Sequence, residues 1–221
     1  MSLIELKGIC FRYSSGEEDI LRDFSLSVEA GDCVILEGDN GAGKSTLFRI
    51  LNGLSFPQKG SYFFDGSEIT KAWLNREQRA RQFHKRIGYL FQNPDVMLFN
   101  ASVYEEIAFG LRQMGMTDAK VDARVEDCLK LFGLEKLADK APYHLSGGQK
   151  KKVALAAVMA MNPEVLILDE PFAGLDRASM DFLTQLLRQL SRAGKTLLIA
   201  THQDPQSFDI PYRVISLTGR S

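Results

Sequence analysis

The stretch VILEGDNGAGKSTLFRIL, residues 34 to 51, limits the fold more than any other part of the chain. An apolar strand pattern runs through G-x-x-x-x-G-K-S into a helical pattern. A loop of this kind needs that context, a strand before it and a helix after it. Its glycines let backbone N–H groups turn inward around phosphate oxygens, and the helix N-terminus adds a favourable dipole. Gly38, Asn40, Gly41, Ala42 and Gly43 would form the cradle. Lys44 would bring a compact positive charge to the β- and γ-phosphates. The Ser45 hydroxyl could ligate Mg²⁺, with Thr46 beside it. The loop by itself implies nucleotide phosphates and does not separate kinases from triphosphate hydrolases.

A second stretch, VLILDE at residues 165 to 170, narrows the choice. Its continuous apolar run reads as a strand buried on both faces. A carboxylate at the end of such a strand, Asp169, is a further ligand for Mg²⁺, direct or through water. The next side chain points the other way along a strand. Glu170 is therefore placed to align an attacking water or to accept its proton. The pair leans toward hydrolysis, although a kinase would also use an acid on its substrate hydroxyl.

The remaining pattern is an α/β one. Residues 3–13, 20–29, 61–66, 86–92, 195–202 and 212–219 read as strands, punctuated by Gly, Ser or Asp. From 101 to 140 the pattern turns helical. Ser102 and Glu105 form a capping box, followed by an apolar stripe at Val103, Ile107, Leu111 and Met114. A further helix stops at Gly133, and another shows Met180, Leu183, Leu187 and Leu190 on one face. This order predicts a parallel-sheet core interrupted by a helical lobe. Hydrophobic residues make up 45% of the 221, enough for a sizeable core. The net charge of −1 gives no electrostatic reason to expect nucleic-acid binding. Cys10, Cys33 and Cys128 are scattered, which argues against a disulfide framework or a zinc site. No basic leader followed by an apolar core opens the chain. The longest apolar run, VALAAVMAM, is about half of the ~20 residues that a bilayer span needs.

One stretch is left over, HLSGGQKKKVALAAVMAM at residues 144 to 161. Ser146 and Gln149 make a capping box before an apolar helix. Capping does not account for Gly147 and Gly148. Glycine costs a helix interior roughly up to 1 kcal/mol relative to alanine, though less near an end. Two of them make sense if a phosphate or another backbone must come close. The lysines at 150, 151 and 152 read as a solvated helix face.

GDNGAGKS, LSGGQ and VLILDE, in this order, resemble the nucleotide-binding subunits of ATP-binding cassette (ABC) proteins. LSGGQ matches that family's signature in all five positions, and the similarity extends over nearly the whole chain. Gln92, the AGLD segment with Asp176, His202 after the strand LLIAT, and Tyr13 as an adenine-stacking aromatic all match as well. The resemblance implies a P-loop NTPase core with a mainly parallel sheet, an N-terminal antiparallel β subdomain and an inserted α-helical subdomain. The core and β subdomain would take residues 1–91 and 149–221, and the helical subdomain 92–148. It implies ATP and Mg²⁺ as ligands, with Ser45, Gln92 and Asp169 around the metal. Glu170, His202 and Gln92 would act on the reaction. Ser146, Gly147, Gly148 and Gln149 would close on the ATP of a second cassette subunit, with Asp176 across that interface.

The segment FQNPDVMLFNASVYEEIAFG further resembles energy-coupling-factor importers for cobalt, nickel and vitamins. Those commonly carry Gln where this chain has Met97. This subfamily implies an integral membrane coupling protein and a membrane substrate-binding protein as partners. It places the chain peripherally on the cytoplasmic face of the cell membrane, and implies no nucleic acid. The ATPase of another ABC transporter class is an alternative, and two other cassette classes have less in their favour. A soluble ATPase of iron–sulfur cluster assembly would not explain the QNPD segment. A DNA-maintenance ATPase would separate the glycine loop from the signature by a long coiled coil. A plain P-loop kinase would leave LSGGQ, AGLD and His202 unexplained.

Overall fold

A computed structural model of the chain describes residues 2–14, 16 and 18–217. Its first part comprises β1 (Ile4–Phe11), β2 (Leu21–Val28), β3 (Cys33–Glu37), α1 (Lys44–Leu51), β4 (Lys59–Phe64) and β5 (Ser67–Glu68). Helices α2 (Lys71–Leu74) and α3 (Glu77–Arg86) lead to β6 (Ile87–Leu90). Then come α4 (Val103–Gln113), α5 (Asp118–Phe132) and α6 (Gly147–Ala160). The chain returns through β7 (Val165–Asp169), α7 (Arg177–Arg192), β8 (Thr196–Ala200) and β9 (Arg213–Ser216). Short 3₁₀ turns fill several of the connections.

Two sheets result. One is antiparallel, in the order β2-β1-β4-β5; the other is parallel, in the order β6-β7-β8-β3-β9. The strands β3, β7 and β8 show why the second sheet lies at the centre. Side chains alternate between faces along a strand. Cys33 and Ile35, Leu166 and Leu168, and Leu197 and Ile199 join the core shared with the helices α4 to α7. Val34 and Leu36, Val165 and Ile167, and Leu198 and Ala200 join the core shared with the antiparallel sheet, α1 and α3. Strands covered on both sides read as unbroken apolar runs, which is what the sequence shows there.

The N-terminal sheet contains a tight spot. The register of β1 against β4 shifts between Lys7 and Cys10. Gly60 faces that irregularity with φ +87°, and a Cβ there would fall 2.4 Å from the carbonyl oxygens of both Lys7 and Gly8. Backbone atoms held in a ladder cannot step aside as a flexible side chain would. Gly60→Ala is therefore expected to cost about 2–3 kcal/mol of stability. A lowered midpoint of chemical denaturation would show this, and an unshifted midpoint would refute it.

In the helical part, Ser102 accepts from the Glu105 N–H and caps α4 as expected. The reciprocal half of the capping box does not form. The Glu105 carboxylate turns instead to Arg112, seven residues on, and an ion pair takes it away from the helix start. Val103, Ile107 and Leu111 are buried along α4, while Met114 is only half-buried at its end. Helix α5 begins at Asp118 and stops at the expected Gly133, its C-cap with φ +65°. Leu183, Leu187 and Leu190 are buried on α7. The last strand was expected to run to residue 219; it ends at Ser216, and residues 218 and 219 lie outside the described part. Among the described residues, no helix is long and apolar enough to cross a membrane.

Candidate active site

The loop between β3 and α1 turns on glycines in left-handed or related conformations, with Gly41 at φ +86° and Gly43 at φ +102°. Gly43 is also the N-cap of α1. A Cβ on it would sit 2.9 Å from Ile20 Cγ2, so the loop leans directly on the segment before β2. Lys44 is buried, and its ammonium folds back to donate to the carbonyls of Gly38 at 2.5 Å and Asp39 at 3.3 Å. Strands β3, β7 and β8 are neighbours in the parallel sheet, so their C-terminal ends open together beside this loop.

A cleft of about 590 Å³ forms there. It gathers Tyr13, Asn40, Gly41, Gly43, Lys44, Ser45, Thr46, Gln92, Asp169, Glu170 and His202 from segments far apart in sequence. Its volume is in the range of small-ligand sites, ~300–1,000 Å³. Of the expected loop residues, Gly38 and Ala42 sit behind the lining. Tyr13 is about half exposed and stands edge-on to Phe11, and its hydroxyl lies 3.1 Å from Thr46 Oγ1. Ile20, Asp39 and Ala173 also line the cleft and were not expected.

Asp169 ends β7 buried at 3% exposure. Tyr89 on β6 donates its hydroxyl to Asp169 Oδ2 at 3.3 Å, and the Ser45 hydroxyl bonds the same side chain. Burial raises the Asp169 pKa above the ordinary carboxylate range, while the Ser45 and Tyr89 bonds and the Lys44 ammonium oppose it. Burial and the neighbouring Asp169 together push the Tyr89 phenol upward, so it stays a donor. Tyr89 is a site residue that the sequence did not disclose, because an aromatic inside RIGYLFQ reads as core.

Glu170 takes φ +47°, a left-handed value unusual outside glycine. Its N–H donates to Ala200 O at 2.9 Å, so the β7–β8 ladder extends one residue past the strand. Its side chain is only 12% exposed, and Oε1 is fully buried with no hydrogen-bond partner. His202 Nε2 is 3.4 Å from that oxygen but not aligned for a hydrogen bond. It sits close enough for charge attraction whenever the imidazole is protonated.

The oxygens of Ser45, Gln92 and Asp169 are hard donors with a single carboxylate among them. Among the described residues, no group of three or more His, Cys, Asp or Glu side chains forms a metal cage. Such a set suits an ion that arrives with phosphate and water oxygens, as Mg²⁺ does.

The signature residues stand elsewhere. Ser146, Gly147, Gly148 and Gln149 do not line the cleft, nor does Asp176. Ser146 and Gln149 complete the expected capping box on α6. Nothing lies within 4 Å of where a Cβ on Gly147 would be, and only Leu175 Cδ2, at 3.8 Å, approaches one on Gly148. The chain's own packing therefore does not require glycine at either position. Asp176 caps α7 by accepting from the Ser179 N–H at 2.7 Å, which holds its carboxyl below the usual range.

The lysine run departs from its reading as a solvated face. Lys150 pairs with Asp95 at 2.7 Å, and Lys152 lies over the Phe182 ring. Lys151 is buried against the backbone of residues 170 to 173. Met97, which replaces the usual Gln, turns inward and its sulfur accepts from the Phe91 N–H at 3.4 Å.

Comparison with known proteins agrees with this geometry. The ABC transporter family matches residues 21–173. The nickel import ATP-binding protein LarO of Lactiplantibacillus plantarum is 50% identical over 204 residues, spanning 92% of this chain and 84% of that one. The energy-coupling factor transporter ATP-binding protein EcfA of Methanocaldococcus jannaschii is 42% identical, over 91% of this chain and 71% of its own. Among solved structures, the dimeric post-hydrolysis ATP-binding cassette MJ0796 bound to ADP and Pi superposes with a TM-score of 0.87. It is 28% identical, and the match covers 99% of this chain and 97% of that one. With the phosphate loop, the buried acids and the signature in one fold, the chain belongs to the ABC transporter family and is one of its ATP-binding, ATP-hydrolysing subunits.

Proposed function

We propose that this chain powers a membrane importer of the energy-coupling-factor type, with a transition-metal ion or a vitamin as cargo. The observation that carries the catalytic part is the buried, unpartnered Oε1 of Glu170 in a cleft that also holds Lys44, Ser45, Asp169, Gln92 and His202. A buried acceptor without a partner is costly. A water held between the Glu170 carboxylate, which lines the cleft, and the γ-phosphate would be aligned for attack.

In this reading the loop amides and Lys44 hold the phosphates, with the ammonium exchanging its two carbonyl partners for phosphate oxygens. Tyr13 stacks on the base. Mg²⁺, held by Ser45, Asp169 and Gln92, would neutralise charge on the β- and γ-phosphates. Glu170 takes the proton of the attacking water, and His202, beside the same carboxylate, steadies the γ-phosphate end of the site. Ser146, Gly147, Gly148 and Gln149 would meet the ATP of a second cassette subunit, and two copies of this chain carry every part required. ATP closes the pair because the γ-phosphate bonds both subunits in the closed state only. Residues 92–148 would form the lobe that brings the signature into place.

The transport part draws on the named relatives and on the segment after Gln92. Val96 and Phe99 are about two-thirds exposed, and Phe99 stands edge-on to the exposed Phe109 at 5.1 Å. This apolar corner suits docking to an integral membrane coupling protein, which would hold the chain at the cytoplasmic face of the membrane. Purification of the tagged chain from its native membranes in mild detergent tests this reading. The expected result is recovery of a large membrane coupling protein and a small membrane substrate-binding protein. Recovery of soluble partners only, with the chain absent from membranes, would overturn the transport reading and leave the ATP chemistry standing.

A further inference from the structure

Lys151 sits on α6, five residues beyond the Ser146 cap. It is 6% exposed in a run whose other two lysines reach solvent. Its ammonium donates to Glu170 O at 3.0 Å and to Ala173 O at 2.7 Å. The Glu170 carbonyl also accepts from the Ala173 N–H at 3.2 Å. One cation thus closes the turn 170–173 from the outside, at the residue with φ +47°. Strained backbone of that kind persists only where its surroundings hold it.

A buried ammonium is itself expensive unless well paired. Burial lowers the Lys151 pKa, and the nearby Glu170 charge opposes that shift. An apolar side chain would fill the space without that cost, so packing alone does not account for a lysine. The two carbonyls do, because they have no other side-chain donor in the described contacts. They lie on the turn that aims the Glu170 carboxylate, whereas Lys151 belongs to the helix that begins at the signature.

We infer that Lys151 is a positioning residue: its ammonium fixes the turn that aims Glu170 and ties that turn to the signature helix. The inference rests on the reading of Glu170 as the base. A misplacement of about 1 Å in a reacting group costs up to ~10²-fold in rate. Small changes of this turn therefore reach the chemical step without touching the phosphate loop.

The test uses the full chain in four variants: Lys151→Met, Lys151→Gln, Glu170→Gln and Lys151→Met with Glu170→Gln. Single-turnover hydrolysis, nucleotide affinity and ATP-driven dimerisation are measured for each. Lys151→Met is expected to slow hydrolysis ~10-fold or more, with affinity and dimerisation within about 2-fold of the parent. Lys151→Gln keeps one N–H donor group and should recover part of the rate. The double variant should be no slower than Glu170→Gln, because the aim of a missing base no longer matters. Should Lys151→Met not fold, Lys151→Gln carries the same comparisons.

A parental rate in Lys151→Met overturns the inference. So does a parallel fall of affinity, dimerisation and rate, which marks a merely structural lysine, and so does an equal further loss in the Glu170→Gln background. A slow Glu170→Gln beside an unaffected Lys151→Met sinks the Lys151 role alone. A fast Glu170→Gln removes the base reading, and the Lys151 role falls with it.

Discussion

Glu170→Gln is expected to keep ATP affinity and slow hydrolysis ~10²-fold or more, so that an ATP-bound dimer accumulates. The substitution changes little besides charge and basicity. An amide is nearly the size of a carboxylate, and the turn at φ +47° is held through backbone groups of Ala200, Ala173 and Lys151's ammonium, which the change leaves in place. The phosphate loop is untouched, so binding through Lys44 and the loop amides persists. The loss falls on the proton transfer from water, which a carboxylate performs and an amide does not. In the proposed reading closure depends on the γ-phosphate, so a site that keeps its γ-phosphate would stay closed. Mass measurement in solution with ATP and Mg²⁺ should give twice the chain mass for the variant and a single chain mass with ADP. A variant that stays single at saturating ATP and Mg²⁺ would sink dimer closure. A variant that hydrolyses at the parental rate would remove Glu170 from its role.

How far such a site can be read from sequence depends on where each partner comes from. The glycine loop and VLILDE are legible because each carries its own context within a few residues. Strand β7 is apolar on both faces because both are covered, and that leaves a continuous run. The capping box at Ser146 is local, and it forms. Helix α3 left no such mark. Phe83 is its only buried side chain, so EQRARQFHKR has no stripe to reveal it. Lys151 could not be told from Lys150 and Lys152. What buries it are carbonyls 19 and 22 residues away, and a backbone acceptor leaves no signature in side-chain identity. The same holds for Tyr89, whose partner Asp169 is 80 positions distant. Glu105 shows the opposite failure: the local motif was present, and a competing cation at Arg112 took the carboxylate.

Mixing two inactive variants is expected to restore hydrolysis, and the recovery would separate a shared site from a private one. The first is Glu170→Gln. The second is Gly148→Asp, which the fold should accept because only Leu175 Cδ2, at 3.8 Å, approaches a Cβ there. Its carboxylate would face the γ-phosphate of the bound nucleotide and repel it. Suppose each ATP lies between the phosphate loop of one chain and the signature of the other. A mixed pair then has one site carrying both defects and one site carrying neither. Random pairing makes half the dimers mixed, so about a quarter of all sites are intact, and the mixture should approach a quarter of the parental rate if the sites work independently. The chains must be mixed before ATP is added, since trapped Glu170→Gln pairs exchange slowly. If the signature served the ATP of its own chain, every site in the mixture would still carry one defect, and the rate would stay at the floor of the separate variants. The structure favours recovery, because Gly147 opens onto nothing within 4 Å, Gly148 meets only Leu175 Cδ2 at ordinary contact distance, and the cleft that holds Lys44 and Glu170 excludes the signature residues.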